Sequence, residues 1–170
     1  LNDICFDLLS SGRYPLADIL LEFGSGQKKS SGDVYRNILV INQALSKYLQ
    51  KDDKNEKQIL DEKDWSACNN EFRLARSVIR EEFELVYKLM INVGTNGEII
   101  RKESYRTWPL FYEIRKADEF KKIYKDIFSE EYTVLEVPKK PVQEVLSAYQ
   151  KNHSIKKTKK VPTKKKSVKK

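Results

Sequence analysis

Apolar residues recur along the chain in a loose repeat. A polar or glycine turn precedes an aromatic residue, and small or aliphatic residues follow it three, six and seven positions later. The best copy consists of Tyr14, Ala17, Leu20 and Leu21. The first positions of the four copies are Tyr14, Asp53, Phe83 and Phe120, separated by 39, 30 and 37 residues. Periods of this size are typical of stacked helical hairpins, so the pattern predicts an array that functions through its surface.

Helical periodicity extends between these copies. A long stripe after Asp33 consists of Val34, Ile38, Ile41, Leu45 and Leu49, which are three or four residues apart, as on one face of a helix. The helix before it is expected to run to about Phe23, with Leu16, Ile19, Leu20 and Phe23 on one face. All six glycines fall where breaks between helices are expected, and Asn69 or Asn70 is the expected N-cap of a later helix. The pattern predicts an all-α fold of paired antiparallel helices.

Charge separates a body from a tail. The tail contains no acidic residue and nine lysines, namely Lys156, Lys157, Lys159, Lys160, Lys164, Lys165, Lys166, Lys169 and Lys170. These nine belong to a total of 33 Lys and Arg, which leaves 24 basic against 25 acidic residues, a net charge of −1, for residues 1–155. We expect a helical domain over residues 1–130, a linker with room for a short helix over 131–155, and a disordered basic tail over 156–170.

Other sequence features concern the compartment. No apolar run approaches the length of a membrane span, and no signal peptide is visible. Cys5 and Cys68 are far apart, which favours reduced thiols in a cytoplasmic protein, with one disulfide in a secreted protein as the alternative. Because Leu1 begins inside an amphipathic pattern, we expect an N-terminal part to precede it.

No pattern in the sequence indicates catalysis, a cofactor or a metal. The single histidine, His153, cannot form a zinc site without thiols or carboxylates that converge on it. Phosphate-binding glycine motifs and nucleophile motifs are absent. We therefore predict a protein that is not an enzyme. An enzyme of helical fold is the third hypothesis, since helices can carry chemistry without a short motif.

The segment from Leu8 to Ala17, LLSSGRYPLA, resembles the turn between the two helices of a tetratricopeptide-repeat (TPR) unit. In that turn a glycine, an aromatic two positions later and an alanine three positions after it recur, as Gly12, Tyr14 and Ala17 do here. The segment WPLF, residues 108–111, resembles the last unit of bacterial TPR-like arrays. The resemblance covers about residues 1–130. It implies a TPR-like helical solenoid, the C-terminal part of a larger bacterial-type protein, that binds peptides or partner domains.

The repeat departs from the TPR pattern in its later copies. Val86 replaces the usual alanine in the third unit, and Asp53 and Glu56 occupy the aromatic and alanine positions of the second. These departures are compatible with helix pairing, but they argue against a regular superhelical groove.

Two sets of residues in the body are candidates for partner binding. Arg73, Arg76 and Arg80 are three and four positions apart, so they form one basic stripe on a helix. They either contact an acidic peptide or phosphate, or form a solvated face paired with neighbouring acids. Asn42 lies among aliphatic residues of the long helix. The TPR resemblance implies that such an Asn holds a ligand backbone, and a buried structural role is the alternative.

The leading hypothesis is a non-catalytic protein-interaction scaffold or sensor module attached to an N-terminal effector domain. The alternative is an accessory nucleic-acid-binding protein whose nine tail lysines contact phosphates without base-specific readout. In a third use the tail only aids solubility or targeting. No membrane partner is expected.

Overall fold

A computed structural model describes residues 1–26 and 32–134. These residues form eight α-helices and two 3₁₀ turns, without a β-strand. The helices are α1 Asn2–Ser10, α2 Tyr14–Gly26, α3 Asp33–Leu49, α4 Asp53–Asp61, α5 Asn70–Ile79, α6 Phe83–Val93, α7 Lys102–Thr107 and α8 Asp118–Phe128. The 3₁₀ turns are Pro109–Phe111 and Ile114–Lys116. The described part of the chain is therefore all-α, which confirms the predicted class.

The first three helical hairpins are joined by turns of the same geometry. Each turn contains one residue with positive φ, and these residues are Gly12 (74°), Lys51 (61°) and Glu81 (56°). The next N–H along the chain donates to the carbonyl five residues earlier. These bonds join Arg13 to Leu8, Asp52 to Lys47 and Glu82 to Ser77, each at 2.9 Å. This is the Schellman pattern, which satisfies carbonyl groups at a helix end. The following helices begin at positions 14, 53 and 83, so three predicted repeat positions are equivalent in the structure.

The inner positions of the repeat are buried as the pattern predicts. The third position after each start holds Ala17, Glu56 and Val86, which are 0%, 5% and 0% exposed. The seventh holds Leu21, Leu60 and Met90, none more than 1% exposed. The aromatic position is buried in only some copies: Phe120 is 0% exposed, Tyr14 packs against the core, and Phe83 is 40% exposed. The hairpins are thus held together by the later positions of their second helices.

The fourth copy of the repeat does not form a hairpin of this kind. Pro109 lacks a backbone N–H, Trp108 before it is extended, and α7 ends after only six residues. Two 3₁₀ turns lead to α8, which begins two residues before Phe120. An aromatic cluster holds this region together, with Tyr105 packed on Phe111 at a ring-centroid distance of 4.9 Å and on Tyr124 at 6.4 Å.

The C-terminal part of the described chain returns to the first helix. Helix α3 contacts both α1 and α5, and the turn Pro109–Phe111 contacts α5 and also α1. Its three residues are buried. In an open row of stacked hairpins the first and last units lie apart. The chain itself therefore occupies the space between α1 and α5, where an open solenoid would present a groove.

Two expectations for α2 are wrong. Gly24 does not end the helix but lies within it. A glycine is needed there because a Cβ would clash with the side chain of Leu1 and crowd that of Leu39. Ile19 and Phe23 are not on the buried face, since each is 61% exposed. The helix instead packs through Ala17, Leu21 and Gly24, whose small members allow close approach.

Both cysteines are free, in agreement with reduced thiols. Burial raises the pKa of Cys5 to about 11, so this thiol stays protonated at neutral pH. Within the described ranges no helix is long and apolar enough to cross a membrane. Residues 27–31 and 135–170 lie outside the described residues, and with them the predicted linker beyond 134 and the lysine tail.

Candidate functional site

An open cleft of about 330 Å³ lies between the loop that connects α4 to α5, helix α5 and the beginning of α6. Leu60, Trp65 and Leu85 provide its apolar lining. Lys63 and Arg73 are among its charged residues. The cleft therefore combines an apolar wall with cationic side chains from two different elements.

The loop between α4 and α5 is fixed by hydrogen bonds from its own residues. The indole Nε1 of the buried Trp65 donates to the carbonyl of Leu60 at 2.8 Å, which folds the loop back onto the end of α4. The Asp64 carboxylate accepts from the backbone N–H of Ser66 at 2.8 Å. At the end of the loop, Asn69 accepts from the N–H of Phe72 and is the N-cap of α5, as predicted. This wall of the cleft is therefore built by local sequence.

The predicted basic stripe on α5 is divided between different partners. Arg80 points to α4, where its Nη2 lies 2.5 Å from an Asp61 oxygen and its Nε lies 3.5 Å from Glu56 Oε1. Its role is to join two helices. Burial raises the pKa of Glu56, and the Arg80 guanidinium counteracts this only in part. Arg80 is therefore committed to a buried carboxyl group rather than to a surface ligand.

Arg76 and Arg73 line the cleft but differ in their partners. Nη1 of Arg76 contacts both carboxylate oxygens of Glu82, at 3.1 and 3.0 Å, and Glu82 also accepts from the Ser77 hydroxyl. Arg73 donates to the amide oxygen of Asn70 at 3.3 Å. It forms no ion pair with any residue that the structure describes. Of the three predicted arginines, Arg73 is therefore the one whose charge is available to a ligand.

A shallower groove continues from the cleft along the beginning of α6. It shares Arg76 and Leu85 with the cleft and adds Phe83, Lys88 and two acidic residues, Glu82 and Glu84. Phe83 and Leu85 are 40% and 36% exposed, so two neighbouring large apolar side chains of α6 face solvent in this groove. We call the cleft and this groove together the α5–α6 surface. From the sequence, Phe83 was named only as a repeat position and Leu85 was not selected, although the position of Leu85 off the apolar stripe of α6 is a usable signal.

The structure does not bring the other predicted site residues to this surface. Asn42 is buried at 5% exposure, and its Oδ1 has no hydrogen-bond partner. Its burial favours the structural alternative over contact with a partner's backbone. The nine tail lysines fall outside the described residues.

Among the described residues, no group of three or more His, Cys, Asp or Glu side chains is placed to hold a metal ion. No protein-family model, curated protein or solved structure matches the chain. The functional argument therefore rests on the geometry of the α5–α6 surface.

Proposed function

We propose that this chain is a non-catalytic protein-interaction module, a cytoplasmic scaffold or sensor piece of a larger protein, that holds its partner on the α5–α6 surface. One observation carries the proposal: the exposed Leu85 lines the same cleft as Arg73, whose charge has no ion-pair partner among the described residues, and the exposed Phe83 lies beside Leu85 in the adjoining groove. Exposed apolar patches rimmed by polar residues are typical of interaction sites, and aromatic residues and Arg are enriched there.

The TPR-like interpretation is part of this proposal. It is supported by the equivalent turns of the three hairpins and by the burial of the third and seventh repeat positions in their second helices. The turn Pro109–Phe111 lies against both α1 and α5, so the proposal assigns no ligand to an inner groove that contains Asn42. The binding surface that we assign lies instead on α5, α6 and the loop before them.

The test compares two substitutions on the same helix. Leu85→Glu places a charge on the α5–α6 surface, whereas Ile91→Glu makes the same change at a residue of α6 that is 60% exposed and outside that surface. Both full-length variants should keep the circular dichroism and melting temperature of the parent protein. Quantitative capture from extract of the source cells should lose the specific partner, by about tenfold or more, only with Leu85→Glu. Equal capture by both variants would refute the proposed surface.

A second candidate function is supported by the lysine tail. Its nine lysines without an acidic residue follow a body of net charge −1, so the tail is the strongest cationic segment of the chain. As an accessory nucleic-acid arm it should bind single and double strands with little sequence preference. Deletion of Lys156 to Lys170 should abolish binding, and the slope of log affinity against log salt should approach roughly −0.9 per phosphate neutralised on duplex. Binding that survives the deletion would place the contact on the body.

A further inference from the structure

We propose that the ligand of the α5–α6 surface is an acidic peptide segment that carries an aliphatic side chain between its carboxylates. Arg73 and Lys63 would contact the carboxylates, and Leu85 would contact the aliphatic side chain. This inference rests on the proposed function, because it names the chemistry of the partner at the same surface.

The first argument is the distribution of charge in the cleft. Two of its acidic neighbours already have cationic partners, Asp61 with Arg80 and Glu82 with Arg76. The Asp64 carboxylate accepts from the N–H of Ser66, the leading cause of its lowered pKa; it keeps its negative charge, which Lys63 also attracts. Arg73 and Lys63, in contrast, form no ion pair within the described part of the chain. Arg73 and Lys63 outweigh the one negative charge of Asp64, so the charge left at the cleft is positive on balance.

The second argument is the hydrogen-bonding capacity of these cations. A guanidinium carries about five N–H donors in a planar fork that suits a carboxylate. The single side-chain hydrogen bond of Arg73 is the one from Nη1 to Asn70. Lys63 is positioned by the ring of Trp65, with its Nζ 5.6 Å from the ring centroid. Both cations are thus held at the cleft with most of their donors free, as binding of an anion requires.

The third argument is the apolar wall of the cleft. Leu60, Trp65 and Leu85 line the same cleft as Arg73 and Lys63. Leu60 and Trp65 are buried behind Leu85, and a purely anionic ligand, such as a free phosphate, would leave the exposed Leu85 in contact with water. A basic peptide would be repelled by the uncompensated cations. A peptide with an aliphatic residue flanked by carboxylates matches both the wall and the charges.

The experiment measures binding of a labelled peptide to the full chain by fluorescence anisotropy. The probe has a central leucine flanked by glutamates. One control peptide carries glutamines in place of the glutamates, and another carries glycine in place of the leucine. Each control peptide should bind about tenfold more weakly than the probe, since a charge-assisted hydrogen bond or a buried leucine is worth about that factor.

Variants of the protein separate the cleft from the lysine tail, which also attracts acidic peptides. Arg73→Ala should weaken binding of the probe about tenfold, whereas Lys122→Ala, an exposed lysine of α8 without an ion pair among the described residues, should leave it unchanged. Circular dichroism should show that both variants are folded. If affinity depends on the glutamates but not on the leucine or Arg73, the tail is the binding site and the proposal is overturned. If Leu85→Glu still abolishes capture of the partner while the peptides bind alike, the interaction surface stands and only its acidic specificity fails.

Discussion

The Glu71 carboxylate is expected to hold the loop between α6 and α7 in place. Its Oε1 accepts hydrogen bonds from the backbone N–H groups of Ile99 and Ile100, each at 2.7 Å. Glu71 is 8% exposed and Ile100 is 1% exposed. One side chain of α5 therefore satisfies two backbone donors of a loop that is more than twenty residues away in sequence.

The expected cost of removing this carboxylate follows from its two bonds. A hydrogen bond to a charged acceptor contributes about 1.5 to 3 kcal/mol, and a buried donor left unpaired costs a similar amount. The N–H of Ile100 belongs to a buried residue, whereas Ile99 is half-buried and its N–H can recover part of the loss from water. We therefore expect Glu71→Ala to lower the free energy of unfolding by about 2 to 4 kcal/mol, which for this size lowers the melting temperature by about 5 to 15 °C.

Thermal and urea unfolding, followed by circular dichroism at 222 nm, measure this loss. Glu22→Ala, a change at an exposed glutamate of α2, is the matched control and should leave stability within about 0.5 kcal/mol of the parent. Glu71→Gln retains an oxygen that can accept from both N–H groups, so its loss should be smaller than that of Glu71→Ala. A Glu71→Ala protein as stable as the control would refute the role of this carboxylate.

Further predictions concern stability and use the same unfolding assays. Ala17→Glu buries an uncompensated charge at a position that is 0% exposed, so it should lower stability by about 3 kcal/mol or more. Asn42→Leu removes the unpartnered Oδ1 and should raise stability by about 1 kcal/mol, whereas a large loss would show that the amide has a partner. Lys51→Gly relieves a positive φ and should raise stability by about 0.5 to 1 kcal/mol, and an unchanged stability would show that the turn is unstrained. Burial alone would raise the pKa of Asp18, but hydrogen bonds, led by the one from Lys47, hold it below its usual value. The Asp18 carboxylate therefore stabilises the fold above its pKa in the unfolded chain, and this stabilisation is lost as the pH falls through its pKa in the folded protein. The Asp18→Asn protein should lose less stability on acidification than the parent protein.

The sequence predicts the three hairpins because the features that form them are local. The Gly12 turn, the small residue at position 17 and the Asn69 cap each act within a few residues of their own helix. The second hairpin has Glu56 at the position that holds Ala17 in the first hairpin. The same periodicity cannot show that the negative charge of Glu56 is balanced by Arg80 of the third hairpin. That compensation depends on the packing of α4 against α5.

The candidate site was predictable only in part. The stripe of arginines on α5 is visible in the sequence, but which of them keeps its charge free depends on acids placed by other elements. Leu85 is exposed because α6 buries Val86 and Met90 on its other side. The return of Pro109–Phe111 to α1 joins residues about a hundred positions apart and has no local signal.

The most direct test of the α5–α6 surface as the binding site is site-specific photo-crosslinking in the full chain. A photoreactive phenylalanine analogue replaces Leu85 in one protein and Ile91, the exposed residue of α6 outside the surface, in the other. Both proteins are irradiated with the partner that the parent protein captures, and the crosslinked residues are identified by mass spectrometry. The account predicts an abundant crosslink from position 85 to one segment of the partner and little or none from position 91. Crosslinks from position 91 alone, or equal crosslinks from both positions, would contradict it.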